Sequence, residues 1–268
     1  MTGSSSDSEE RENSPDAPKD FRAEAERAVE GGHAGDLELL AVEARGFEWE
    51  REGLRVLERA RLRLKASGPA SQPAPGEPKR VLLFTGHMID APGRERPRFP
   101  PDKEDAARQS IKEAVLREAA GGVAYGVAGG ASGGDILFHE VCAELGIPTR
   151  LFLALPRDLY VRASVRPAGP RWVTRFDRLR QSLPARVLAD SEELPNWLQS
   201  KDGYNIWQRS NLWMLHNALA AGGEHVTLIA LWDGKAGDGP GGTGDMVRSA
   251  AERGARTIIL DTGTLFGT

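Results

Sequence analysis

The chain has 268 residues, 40% of them hydrophobic and 28% charged, which suffices for one large domain or two small ones with a real apolar core. The net charge of −4 sits in residues 1–20, where six acids face two bases; the remainder is neutral and lacks the basic footprint of a general nucleic-acid binder. No apolar run approaches the roughly 18 residues of a membrane span, and the polar, acidic start does not match a secretory signal.

Residues 1–20 are rich in Ser, Asp and Glu and hold no aromatic residue, which predicts a disordered acidic tail. Over 21–65 apolar residues recur at helical spacing in "FRAEAERAVE" and again from Leu37 to Lys65. The break "EGGHAGD", with Asp36 as the expected N-cap, makes this a short helical hairpin suited to packing or dimerisation. Residues 66–79 carry four prolines and little that packs, the composition of an extended linker.

From 80 to 268 short apolar strands alternate with helical segments. Strands are predicted over 80–85, 123–128, 149–155, 185–189 at an edge, 225–232 and 256–261. Helices are predicted over 103–120, 134–146, 171–183, 203–222 and 244–254. This alternation predicts an α/β domain: a Rossmann-like, mainly parallel sheet sandwiched by helices. In such sheets ligands sit beyond the carboxyl ends of the strands, at the point where strand order reverses.

The loops at those ends carry the candidate chemistry. "GGASGGD" follows the second strand and opens a helix, so Gly129, Gly130, Ser132, Gly133, Gly134 and Asp135 are candidates for a phosphate cradle of backbone N–H groups at a helix N-terminus. A tight turn with no ligand is the competing reading. After "HVTLIALW" comes a second Gly-rich loop, with Asp233, Lys235, Asp238, Gly241, Gly242, Thr243, Gly244 and Asp245 as candidates. The first loop lacks the G-x-G-x-x-G spacing, and the second lacks the P-loop spacing, since Ala236 follows Lys235. Past the first strand, Gly86 and His87 stand where a ligand group would be met, and Arg94, Arg96 and Arg98 form a candidate basic lid. After the third strand, Arg157 and Arg162 are candidate phosphate contacts. In the helix from 203, the tryptophans read as core, and Asn205 and Asn211 read as either helix surface or contacts to a base or ribose.

The lone Cys142, on a helix, reads as a buried small residue and excludes an internal disulfide, which points to a reducing, cytoplasmic setting. The five histidines, His33, His87, His139, His216 and His225, show no metal-ligand spacing. No cofactor is assigned beyond Mg2+ accompanying a bound phosphate through Asp233 or Asp238.

"GPGGTGDM" (239–246) resembles the P-G-G-x-G-T-x-x-E motif of the LOG phosphoribohydrolases, and "GGASGGDILFHE" resembles their first Gly-rich loop. The latter also resembles the G-I-D-x-x-A-H loop of DNA-processing protein A, with Asp135 and His139 at matching spacing. Residues 80–265 thus resemble the SMF/DprA–LOG (SLOG) superfamily of Rossmann-like nucleotide-binding domains. The resemblance implies a nucleotide or nucleotide-derived ligand, such as an ADP-ribose or cyclic nucleotide derivative, bound by a sensor or regulatory module, as in bacterial antiphage signalling. The motif's glutamate falls at Arg248 and its threonine at Asp245, which argues against LOG-type hydrolysis. The alternative is an N-glycosidic hydrolase of nucleotides, with Asp245 and Asp135 as catalytic carboxylates and His87 as proton shuttle. Single-stranded DNA binding is a second alternative, weakened by the neutral charge and the 6% aromatic content. The expected partners are a nucleotide-type small molecule and a second copy of the chain or an effector, with no membrane.

Overall fold

The computed structural model describes residues 15–67, 80–235 and 241–267. The tail expected over 1–20 lies outside them as far as residue 14, as do residues 68–79 of the expected linker and the candidate Asp238. The described chain forms two compact units. No helix is long and apolar enough to cross a membrane among the described residues.

The smaller unit contains residues 15–67 together with Pro195–Asp202. Three helices stand where a hairpin was expected: α1 (Lys19–Glu30), α2 (Ala34–Glu43) and α3 (Glu50–Ala66). The division falls at residues 44–49, where the Gly46 N–H donates to the Glu50 carboxylate at 2.7 Å and Phe47 and Trp49 stack 5.0 Å apart. Asp36 lies in the first turn of α2, and His33 takes the N-cap position expected of it. The core gathers Leu37, Leu40 and Leu57 beside an aromatic cluster of Phe21, Phe47, Trp49 and Trp197. Trp197 reaches it from far along the chain and donates its indole N–H to Glu24 at 3.1 Å.

The larger unit is the expected Rossmann-like α/β sandwich. Its elements are β1 (Arg80–Gly86), α4 (Glu104–Ala119), β2 (Val123–Ala128), α5 (Gly134–Glu144), β3 (Thr149–Leu153), α6 (Arg157–Ser164), α7 (Pro170–Ser182), β4 (Ala185–Val187), α8 (Ile206–Gly222), β5 (Val226–Trp232), α9 (Thr243–Glu252), β6 (Arg256–Asp261) and α10 (Thr262–Phe266). The six strands run in the order β4-β3-β2-β1-β5-β6, and every pair is parallel. The central strands are apolar nearly throughout because helices cover both faces. The chain winds outward from β1 to β4, then returns to place β5 on the other side of β1. The loops after β1 and β5 therefore flank the point where the winding reverses, the usual ligand position in such sheets.

Two details differ from expectation. Residues 157–164 form α6 instead of loop, because an eight-residue helix is too short to show a clear period. The short α10 follows β6 and buries Phe266. At the amino ends of the strands, Glu118 is 4% exposed. It faces Arg80 at 3.4 Å and Arg256 at 3.3 Å and accepts the Thr227 hydroxyl at 3.0 Å, joining the starts of β1, β5 and β6.

Candidate functional site

A cleft of about 500 Å3 opens at the carboxyl ends of β1, β2 and β5. The loop after β1 forms one wall. Asp90 accepts the N–H groups of Arg98 and Phe99 at 2.9 Å each, folding the segment back on itself. Phe99 anchors in the core, and Arg94 and Arg98 turn into the cleft. Burial, the neighbouring charge of Arg94 and the opposing pull of Asp233 and Asp90 leave the Arg98 guanidinium below its ordinary pKa. Two like charges thus share one partly dehydrated space. Arg96 does not line it; its carbonyl accepts the Arg94 Nε–H at 3.0 Å.

His87 is 7% exposed and fixed by its backbone, its N–H donating to Leu231 and its carbonyl accepting from Gly134. Nε2 lies 3.2 Å from Asp233 Oδ1 and 3.3 Å from the Asp233 N–H. Burial lowers the His87 pKa, outweighing the attraction of Asp233, so the ring is neutral at pH 7. For Asp233, burial acts upward but is overcome by the Lys235 N–H and His87, and its pKa lies below the ordinary carboxylate value. Asp233 Oδ1 is thereby engaged within the protein, by the Lys235 N–H and His87. Among the described residues no three His, Cys, Asp or Glu side chains gather as a metal site.

The glycine loop after β2 differs from the expected cradle. The Gly130 N–H donates to the Tyr160 hydroxyl (2.9 Å), Ala131 to Asp135 Oδ2 (3.2 Å), Ser132 to the Ser164 carbonyl (2.9 Å) and Gly134 to the His87 carbonyl (3.2 Å). These amides hold the loop together and are not aimed at a ligand. Gly133 has φ +97°, and a Cβ there would lie 2.6 Å from the Ile89 nitrogen, so this glycine serves the close approach of the β1 loop. Gly129 and Asp135 line the cleft; Gly130, Ser132, Gly133 and Gly134 do not. Burial pushes the Asp135 carboxyl up to about 7, against the pull of the Ala131 N–H. His139, one turn on, is buried between the Gly129 carbonyl (2.9 Å) and the Thr149 hydroxyl (2.8 Å). The carbonyl requires a proton on Nε2, so Nδ1 accepts from Thr149 and the ring is a neutral structural link. Burial lowers its pKa to about 4.

The glycine loop after β5 is described over 233–235 and from 241 onward. Gly241, Gly242 and Thr243 line the cleft at the start of α9. The Gly241 N–H donates to Asp245 Oδ2 at 2.9 Å, and the Gly241 carbonyl accepts the Asn211 amide at 2.6 Å. The amides of Gly242 and Thr243 have no acceptor among the described residues and add to the positive helix end. Asp245 also pairs with Arg248 and lies outside the cleft lining, so it is a loop brace, not the catalytic carboxylate expected of it. Gly244 packs near the Trp232 ring. Lys235 donates its N–H to Asp233 and accepts the Trp232 indole N–H through its carbonyl.

Arg157 and Arg162 do not line the cleft. Arg157 grips Asp177 through two bonds (2.8 and 2.7 Å) and also pairs with Asp158, while Arg162 pairs with Glu192 at 3.1 Å. Asn205 caps α8, accepting the N–H groups of Trp207 and Gln208, while Trp213 is core and Trp207 lines the cleft. Gly86 lines it too. Tyr160 and Trp232 complete the wall; no local pattern marked them, because their place comes from helices and strands meeting across the fold. No family model and no curated protein matches the chain.

Proposed function

We propose that this cleft binds an anionic nucleotide or nucleotide-derived ligand, and that the protein acts as a ligand-sensing or regulatory module. One observation carries the reading: Arg94 and Arg98 share a cleft with the open amides of Gly242 and Thr243, at the β1/β5 reversal of the sheet. Guanidiniums and a helix N-terminus together favour phosphate. The Trp207 and Trp232 side chains offer apolar surface for a base. The SLOG resemblance points the same way, and with the single Cys142 it suits a cytoplasmic protein. The test is thermal shift with product analysis over ADP-ribose, NAD, nucleoside monophosphates and cyclic dinucleotides. A stabilising shift without turnover is expected; no shift across the panel refutes the reading.

A second reading, N-glycosidic hydrolysis, rests on Asp135. A cleft-lining carboxyl whose pKa is about 7 can serve as a general acid or base at neutral pH. Release of free base over many turnovers, abolished in Asp135→Asn, is its signature.

A further inference from the structure

We infer that Asp135 and Tyr160 form a reader for a sugar hydroxyl, so that the glycine loop after β2 recognises the ligand's ribose and not its phosphate. The inference rests on the nucleotide reading for the source of that hydroxyl. Asp135 is 9% exposed and Tyr160 5% exposed, and both line the cleft. Asp135 spends Oδ2 on the Ala131 N–H, and Oδ1 accepts no hydrogen bond from the described residues. The Tyr160 oxygen accepts the Gly130 N–H, and its own hydrogen has no acceptor among them. No hydrogen bond joins the two side chains. Both stand over Gly129: a Cβ there would lie 2.6 Å from Asp135 Oδ2 and 3.0 Å from the Tyr160 oxygen. The cleft therefore presents, on two side chains that both flank Gly129, a carboxyl with Oδ1 open and a phenol with its hydrogen open.

A hydroxyl fits this pair because one oxygen donates to the carboxylate and accepts from the phenol. A phosphate fits it less well, since its oxygens are mainly acceptors, give the carboxyl little to accept and are repelled by its ionised form. An exocyclic amine donates but leaves the phenol hydrogen unmatched. The committed amides of the loop agree, as they leave little for an anion. Phosphate then belongs to Arg94, Arg98 and the start of α9, which orients the ligand.

The experiment titrates wild type, Asp135→Asn, Tyr160→Phe and Arg98→Gln with ADP, 2′-deoxy-ADP, 3′-deoxy-ADP, ribose 5-phosphate and 2-deoxyribose 5-phosphate. Thermal melting confirms that each variant is folded. In wild type, loss of the recognised hydroxyl should weaken binding about tenfold or more. Asp135→Asn and Tyr160→Phe should weaken ADP similarly while leaving the matching deoxy compound unchanged. If ribo and deoxy compounds bind alike in every protein while Arg98→Gln abolishes binding, the hydroxyl reader is overturned and the nucleotide reading stands. If ADP does not bind but ribose 5-phosphate binds better than its deoxy form in an Asp135-dependent way, the reader stands without the nucleotide. If none of the five binds wild type, the hydroxyl reader falls, and the nucleotide reading falls with it if the ADP-ribose, NAD, nucleoside monophosphate and cyclic dinucleotide panel gives no shift either.

Discussion

His87 Nε2 lies 3.2 Å from Asp233 Oδ1 and 3.3 Å from the Asp233 N–H, which ties the loop after β1 to the loop after β5 across the reversal of the sheet. One nitrogen serves two partners in alternate protonation states. The neutral ring accepts the amide N–H there, and the protonated ring donates to the carboxylate.

That exchange gives the first prediction. Burial depresses the His87 pKa, Asp233 raises it and Arg98 lowers it. The ring should therefore titrate below 6.5 in imidazole NMR shifts. Asp233→Asn should move the midpoint further down, and Arg98→Gln should move it up. The unfolded ring takes its proton first, so His87 costs stability as pH falls below about 6.5. A midpoint at or above 6.5 in wild type would contradict the burial argument.

Asp135 and His139 make opposite contributions one turn apart on α5. The Asp135 carboxyl is raised to about 7, so the folded state holds a proton that the unfolded chain gives up near pH 4. Its contribution is present at low pH and lost as pH rises through about 7. The His139 ring is lowered to about 4, so the unfolded chain gains a proton that the folded state refuses. Stability is lost there as pH falls from about 6.5 to about 4. The two slopes oppose each other in the wild type. Asp135→Asn should stabilise by about 2–4 kcal/mol at pH 8 and be nearly neutral at pH 4. His139→Gln should flatten the acid side of the profile, whatever its cost at pH 7. Urea unfolding from pH 4 to pH 8 reads both.

Much of the larger unit is legible in the sequence, since parallel strands buried on two faces read as apolar runs and their helices are long enough to show a period. The carboxyl-end loops are legible for the same reason. The role of each glycine is not, because a missing side chain does not say what occupies its place. At Gly133 the occupant is the Ile89 backbone, and at Gly129 it is Asp135 and Tyr160. Arg157 and Arg162 looked available at a strand end, yet their acids, Asp177 and Glu192, lie 20 and 30 residues away. Asn205 was visible as a polar residue at a helix start, and only the fold distinguishes its capping role from ligand contact.

Trp197 shows the same limit in the smaller unit. Its segment lies between two elements of the α/β sandwich in sequence, but its ring packs with Phe21 at 5.1 Å and Trp49 at 5.7 Å. Trp197→Ala should cost about 3–5 kcal/mol of that unit's stability. Trp197→Phe should recover much of the packing and lose the bond to Glu24. Hydrogen exchange of α1 to α3 would register the change; unaltered protection in Trp197→Ala would mean the ring adds little to this core.

Gly133 sets the approach of the two loops that flank the cleft, and it can be separated from ordinary positive-φ glycines. Gly133 and Gly146 have φ +97° and +69°, so an alanine at either is strained by its backbone. At Gly146 nothing lies within 4 Å of the added Cβ, and the cost should be about 1 kcal/mol. At Gly133 the Cβ also meets the Ile89 nitrogen at 2.6 Å and the His87 carbonyl at 3.0 Å. Backbone cannot rotate away as a side chain does, so Gly133→Ala should cost about 3 kcal/mol or more. It should also shift the His87 NMR signals, because the β1 loop must retreat, whereas Gly146→Ala should leave them in place. Equal costs for the two alanines would show that φ alone matters at Gly133 and that the loop contact is slack.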